Sequence, residues 1–529
     1  MGQSLTVTPR PEKSGDAARD LAALTSWHSD WAGLRVAVFG LGVTGFSVAD
    51  TLVELGAEVL VVARGASEEH RELLDVIGAS FVEADDTVPG ATVPPALAGF
   101  EADLVVVSPG YPPRHPLLAW AAEQGLEVWG DIELAWRLRD KVPRSDGTPA
   151  DWVCITGTNG KTTTTQLTAT MLVAGGLRAA PAGNIGVPVL DAIRDPQGFD
   201  VLVIELSSHQ LHWINRHAGG VLAPLASVCL NLADDHLEWH GSRDEYRGAK
   251  AKVYENVRVA CVYNLADPAT RDMVEEAEVQ EGCRAIGFGL GVPGPSDIGL
   301  VDGILVDRAF LEERRTSALE LATMADLVPG GLDSPHMTAN VLAAAALARA
   351  VGVEPAAIRD AVRGFRLDHH RIEVVGEGGG ITWVDDSKAT NAHAADAALS
   401  GFRNVVWIAG GLLKGIDPAP LVSKHVSRLT AAVLIGADRT VLREAFERHA
   451  PGVTVVEVTG DETGGVMFAA VRAAASVARP GDVVLLAPAA ASMDQFTDYA
   501  DRGARFAEAV RTHLEGADRD NDPTSRPES

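Results

Sequence analysis

Short apolar runs recur along the chain, each ended by glycine or a polar cluster. In the first third they are RVAVFG from Arg35, EVLVVA from Glu58 and DLVVVSPG from Asp103. In the middle they are WVCITG from Trp152, DVLVIELSS from Asp200, LASVCLNL from Leu225 and VACVYNL from Val259. In the last third they are ITWVDDS from Ile381, NVVWIAGG from Asn404, AAVLIG from Ala431 and DVVLLAPA from Asp482. Unbroken runs, rather than strict alternation, are what strands covered on both faces require. Helical spacing fills the gaps: after Thr44, over 116–125, after the glycine loop at 157–160, and over the Ala-rich 336–350. EVWGDIEL, 127–134, reads as a further strand, and 287–330 as a Gly/Pro-rich stretch with short β segments. The pattern predicts an α/β protein of three sections with largely parallel sheets.

Polar stretches divide these sections. Residues 1–30 read as a disordered extension, 31–138 as a first Rossmann-like domain and 139–367 as a central domain. Residues 368–517 read as a second Rossmann-like domain, and 518–529 as a disordered tail.

Composition adds little, because 46% apolar and 22% charged residues in 529 is ordinary for a globular protein. Charge adds more. Forty-five Lys and Arg against 72 Asp and Glu leave a net −27, a field that repels nucleic-acid backbones. No nucleic-acid partner is expected. The first thirty residues hold no apolar leader, and no run is long enough to span a bilayer, so a cytoplasmic protein without membrane insertion is expected. Cys154, Cys229, Cys261 and Cys283 stand far apart with no CxxC pair, which reads as free thiols. Nothing in the pattern signals an interface, and a monomer is expected.

Candidate chemistry gathers where the apolar runs end. GTNGKTT (Gly157, Thr158, Asn159, Gly160, Lys161, Thr162, Thr163) lies between a strand and a helix. Such a loop turns backbone N–H groups toward a phosphate, with the helix N-terminus adding positive potential. Lys161 would reach the outer phosphates, and Thr162 or Thr163 would offer a hydroxyl to Mg²⁺. GLGVTG, Gly40–Gly45, fits a dinucleotide turn, but Ala63-Arg64 stands where a nicotinamide ribose needs an acid. The diphosphate of another nucleotide suits it better. Glu205, at the end of a buried-type strand, can hold a cation or cap a helix. His236, in Asp234-Asp235-His236, can ligate a metal or serve structure alone. Lys250, by spacing alone, reads as an exposed helical lysine. DDSKATN (385–391), Lys414 in a glycine loop and Ser492 in APAAASMDQF put three polar strand ends in the last section. These residues describe an enzyme that uses a nucleoside triphosphate to activate a small molecule.

The order GTNGKTT, GNIG, ELSSHQL, DDH, AKxxVYEN, DHHRIE, DDSKATN, ASMDQF resembles the Mur ligases, over about Gly33 to Ala509. DSKATN resembles the D-glutamate-adding branch, and no DNPR motif of the diamino-acid-adding branch is present. The resemblance implies a Rossmann-like N-terminal domain, a central P-loop-type ATP-binding domain and a Rossmann-like C-terminal domain. It implies that ATP phosphorylates the carboxylate of UDP-N-acetylmuramoyl-L-alanine, and that D-glutamate attacks the acyl phosphate, in peptidoglycan precursor synthesis. Two Mg²⁺ ions are implied, with Thr162, Glu205, His236 and a CO₂-derived carbamate on Lys250 as ligands. Lys161, His236 and Lys250 are implied as catalytic. Asn340, Arg371 and Asp386 match the ATP pocket. Thr390, Lys414, Ser492 and Tyr499 match the D-glutamate pocket, with Lys388 beside them. Gly42, Val43, Thr44 and Ser108 match the uridine-diphosphate site, and Asn184 lies near substrate. Met337 departs from the family's HNxxN run and removes one amide donor.

Other readings are separable. A sister Mur ligase or a folylpolyglutamate-type ligase would use another amino acid. A nicotinamide oxidoreductase would leave GTNGKTT without a role. A non-catalytic nucleotide-binding regulator would not need Glu205, His236 and Lys250 together.

Overall fold

The structure is a computed structural model that describes residues 20–84, 93–214, 221–367, 369–413, 415–458 and 463–521. The chain separates into two compact units, 1–152 with 178–224, and 153–177 with 225–529.

In the first unit a parallel sheet runs in the order Ser80–Glu83, Glu58–Ala63, Arg35–Phe39, Leu104–Val107, Glu127–Gly130. Phe39, Val62, Val105 and Val107 fill one of its faces. The strand expected over 127–134 ends at Gly130, where an added Cβ would lie 2.9 Å from Cβ of Trp213. Asp131 then opens the helix Asp131–Leu138, because acids in a first turn favour a helix N-terminus.

Residues 20–30 are not a loose extension. Trp31 is buried against Trp129, and the Arg137 guanidinium donates to Leu24 O at 3.0 Å and Leu21 O at 3.3 Å. Asp140 accepts from Trp27 N at 2.7 Å and from Ser26 Oγ. Aromatic burial and a buried arginine's need for acceptors outweigh the polar look of the stretch. Residues 1–19 lie outside the described residues.

Ala179–Gly183 and Val201–Glu205 pair in parallel within this same unit. Ser47 Oγ donates to Asp191 at 2.6 Å, and Arg194 bonds Asp50 at 2.5 Å and Glu54 at 3.1 Å. The expected boundary at 138/139 is therefore not where packing divides the chain.

In the second unit the strand order is Leu319–Thr323, Ile304–Asp307, Asp297–Val301, Arg284–Phe288, Ala260–Asn264, Ala226–Cys229, Asp151–Thr156. The pairs from Asp151–Thr156 to Asp297–Val301 are parallel, and the last two are antiparallel. Helices Lys161–Ala174 and Pro335–Val351 lie side by side. Alanines 343–346 of the second helix are all buried, since it packs on the sheet as well.

A further sheet in this unit runs Glu373–Gly378, Ile381–Asp385, Val483–Leu486, Val405–Gly410, Leu429–Ile435, Thr454–Glu457. All its pairs are parallel except the first. Trp407 lies in the core on one face and Trp383 in the core on the other. The helix Tyr499–Asn521 covers the second face and carries helical backbone through 518–521, where a tail was expected. Residues 522–529 lie outside the described residues. In such sheets ligand-binding groups collect at the carboxyl ends of the strands, and GTNGKTT, Glu205, DDSKATN and Ser492 lie at or after such ends.

Candidate active site

The loop after Asp151–Thr156 is built for close approach. Gly157 has φ +152° and Gly160 φ +85°, and a Cβ on Gly160 would sit 2.5 Å from Asn340 Oδ1. Asn231 clamps the loop: its Oδ1 accepts from Asn159 N at 2.9 Å and its Nδ2 donates to Asn159 O at 3.1 Å. Asn391 Nδ2 adds a bond to Asn159 Oδ1 at 3.1 Å. Thr158 is buried, with Oγ1 3.0 Å from Tyr246 Oη and accepting from Ala233 N at 2.9 Å. Lys161 opens the helix Lys161–Ala174 and donates to Gly157 O at 2.8 Å and Thr158 O at 2.9 Å. Thr162 is buried beside it, and the buried Thr163 Oγ1 has no hydrogen-bond partner among the described residues.

Lys250 contradicts its reading from spacing. It is 1% exposed, on the helix Arg243–Ala251. Its Nζ donates to Gly157 O at 2.9 Å and Thr156 Oγ1 at 3.3 Å, and lies 4.9 Å from the Tyr246 ring centre. The helix turns this face inward because Tyr246 and Ala249 are buried with it. His236 has φ +52°, starts a short helix, and sets Nε2 3.6 Å from Asp235 Oδ2.

In the first unit Glu205 ends its strand, 1% exposed. Oε1 accepts from Asn184 Nδ2 at 2.9 Å, while Oε2 has no partner among the described residues. A buried carboxylate oxygen left unpaired is costly, and a hard cation is the partner that suits it. Gly42 caps the helix Val43–Glu54; Val43 is exposed and Thr44 half-buried. Ser108 Oγ is buried without a partner among the described residues, 2.7 Å from where a Cβ of Gly40 would stand.

In the last sheet, Asp386 is buried, and burial pushes its carboxyl up to about 7 against the opposing pull of Arg371. Arg371 Nε has no hydrogen-bond partner among the described residues. His370, φ +66°, sets Nδ1 2.7 Å from Asp385 Oδ2, and that bond raises its pKa. Lys388 Nζ donates to Tyr499 Oη at 2.8 Å and lies 4.3 Å from the ring centre. Thr390 N donates to Lys388 O at 2.8 Å, and Ser492 is buried at the next strand end. Lys414 lies outside the described residues. Asn340, with Met337 beside it, faces the phosphate loop: Nδ2 is 3.9 Å from Met337 Sδ.

Asn231, Tyr246, His370 and Arg502 were not singled out from sequence. Asn231 and His370 stood in quoted runs, but only the fold shows that Asn231 and Tyr246 grip the loop Gly157–Gly160.

Family models match this chain in three blocks: the MurD-like N-terminal domain of Mur ligases over 34–130, the Mur ligase middle domain over 155–348, and the Mur ligase glutamate ligase domain over 370–490. The chain belongs to the Mur ligases. A UDP-N-acetylmuramoylalanine–D-glutamate ligase of Leifsonia xyli subsp. xyli is 66% identical, covering 96% of this chain and 98% of that protein. One of Streptomyces avermitilis is 53% identical, covering 91% and 99%. Among solved structures, a pseudomurein peptide ligase type C from Methanothermus fervidus shares the fold, with TM-score 0.53, 15% identity and coverage of 91% and 100%. Among the described residues no helix is long and apolar enough to cross a membrane.

Proposed function

We propose that this chain joins D-glutamate to UDP-N-acetylmuramoyl-L-alanine, cleaving ATP to ADP and phosphate, in cytoplasmic peptidoglycan precursor synthesis. The observation that carries the reading is 66% identity to a D-glutamate ligase across 96% of the chain. The γ-phosphoryl group passes to the substrate carboxylate. The D-glutamate amine then attacks the acyl carbon, its nitrogen gives up a proton, and phosphate leaves with the bonding pair.

The reaction gathers anions, so positioning and charge neutralisation carry most of the rate. The loop Gly157–Thr163 cradles the phosphates, with Lys161 turning from its own loop carbonyls to the outer phosphates. Asn340, Arg371 and Asp386 hold the nucleoside. Gly42, Val43, Thr44 and Ser108 hold the uridine diphosphate, and Asn184 lies near the substrate. Thr390, Lys414, Ser492 and Tyr499 receive D-glutamate.

Thr162, Glu205, His236 and a carbamylated Lys250 are the proposed ligands of two Mg²⁺ ions, which neutralise phosphate charge when bound. Glu205 Oε2 and Thr163 Oγ1, buried without a hydrogen-bond partner among the described residues, support cation binding. Carbamate formation joins the neutral Lys250 amine to CO₂ and releases a proton. The product is an anion, so Lys250 would then accept hydrogen bonds and ligate a cation. A monomer is the proposed state, with no nucleic-acid partner.

The test is phosphate release from ATP with UDP-N-acetylmuramoyl-L-alanine and, separately, D-glutamate, L-glutamate, L-lysine or meso-diaminopimelate. Release with D-glutamate alone, and a product heavier by one glutamyl residue, is expected. Release with a different amino acid would move the chain to a sister ligase, and none with any would overturn the reading. Lys250→Arg cannot form the carbamate and is expected to lose at least about a hundredfold in kcat. A ¹³C carbamate signal from labelled bicarbonate, present in the wild type and absent in Lys250→Arg, checks the modification directly.

A further inference from the structure

The start of the helix Tyr499–Asn521 packs against residues that adjoin, in sequence, both groups assigned above to ligands in the last sheet. Arg502 is 0% exposed. Its Nε donates to Ser387 Oγ at 3.0 Å, Nη2 to Ser387 O at 2.8 Å, and Nη1 to Ala490 O at 3.1 Å. Ser387 Oγ in turn donates to Tyr499 O at 2.7 Å. Ser387 starts the run to Lys388 and Thr390, and Ala490 starts the run to Ser492. These two runs leave different strands, Ile381–Asp385 and Val483–Leu486. One side chain therefore ties them to each other.

The cost of this arrangement argues for a purpose. Burial pulls the guanidinium down to about 10, opposed by Asp494 and Asp385 at longer range. Its hydrogen bonds go to backbone carbonyls and a hydroxyl, not to a carboxylate. An apolar side chain would fill the space with less desolvation. What arginine adds is a planar fork with donors at fixed angles, which lysine cannot copy.

The next residue faces the other way. A Cβ on Gly503 would lie 2.2 Å from His370 Nδ1 and 2.8 Å from Asp385 Oδ2. His370 precedes Arg371, and Asp385 precedes Asp386. Only a residue without a side chain lets the helix seat against this pair.

We propose that Arg502 and Gly503 are positioning residues, Arg502 for the two amino-acid-binding loops and Gly503 for the nucleotide-binding pair Arg371 and Asp386. The inference rests on the function proposed above. Neither residue touches substrate; each sets the place of groups that do.

Steady-state kinetics separate the two roles. Arg502→Lys is expected to raise KM for D-glutamate about tenfold or more and to leave KM for ATP within about twofold. Gly503→Ala is expected to do the reverse. Guanidinium ion added to Arg502→Ala should lower KM for D-glutamate again. Ser387→Ala keeps the arginine and removes one of its acceptors, so it should raise the same constant by a smaller factor. It decides the matter if the Arg502 variants do not fold. Unchanged KM for D-glutamate in Arg502→Lys or Ser387→Ala, or both constants moving together in every variant, would overturn the inference. Wild-type protein that releases no phosphate with D-glutamate would instead sink the function on which it rests.

Discussion

A methyl group at Gly160 has nowhere to go. The backbone there holds φ +85°, and the new carbon would meet Asn340 Oδ1 at 2.5 Å. An L side chain in the left-handed region costs about 1 kcal/mol. The clash adds to that and pushes either the loop or Asn340 away. Gly160→Ala is therefore expected to raise KM for ATP at least about tenfold while lowering Tm by only a few degrees. ATP titration and a melting curve check this, and an unchanged KM for ATP would refute it. The same scale shows what sequence spacing can and cannot tell. GTNGKTT was legible because its glycines, lysine and threonines are consecutive. Lys250 was not, since one lysine in a polar helix gives no sign of which way it faces. Its burial follows from Tyr246 and Ala249 on the same face, and from the carbonyl of Gly157 that receives its Nζ. Arg502 was invisible too: Ser387, which accepts two of its hydrogen bonds, lies 115 residues away.

At the scale of elements, the apolar runs gave strands nearly everywhere they were expected, and errors fell at ends and edges. The runs could not show that EVWG stops at Gly130, because the stop is set by Trp213, distant in sequence. Nor could they show that Glu373–Gly378 pairs antiparallel at a sheet edge. The new helix start carries a testable tension. Asp131 sits in the first turn of Asp131–Leu138, where a negative charge is welcome. It accepts a bond from Gln210 Nε2 at 2.9 Å, yet its other oxygen is buried without a partner among the described residues. Burial outweighs the favourable bonds and raises the carboxyl from 3.8 to about 6. The folded state then binds the proton more tightly than the unfolded state. Stability from this group is complete below about pH 4 and is lost as pH rises through about 6. The loss amounts to about 3 kcal/mol. Asp131→Asn cannot ionise, so its stability relative to wild type should improve by roughly that amount between pH 4 and pH 7.5. Urea unfolding at the two pH values measures it, and parallel pH dependence of the two proteins would contradict it.

At the scale of the whole molecule, a net charge of −27 meets a nucleotide triphosphate, a nucleotide sugar and a dicarboxylate amino acid, all anions. The short-range groups proposed to bind them, backbone amides and a few cations, act within a few ångströms. The surplus of acids acts from farther off and opposes approach. Salt separates the two ranges, because the Debye length falls from about 30 Å at 0.01 M to about 8 Å at 0.15 M. Screening should remove most of the distant repulsion and leave contacts inside the phosphate loop less affected. For ATP held at fixed free Mg²⁺, kcat/KM is therefore expected to rise as ionic strength goes from about 0.01 to about 0.15 M. The usual sign for a site that steers its ligand in is the opposite. An uncharged competitor for the nucleoside pocket, such as adenosine, should show an inhibition constant that hardly moves over the same range. A fall in kcat/KM with salt would mean that the cations near Lys161 and Arg371 reach beyond the loop and dominate the field at the entrance. A rise that also appears with adenosine would place the effect in the fold and not in the charge.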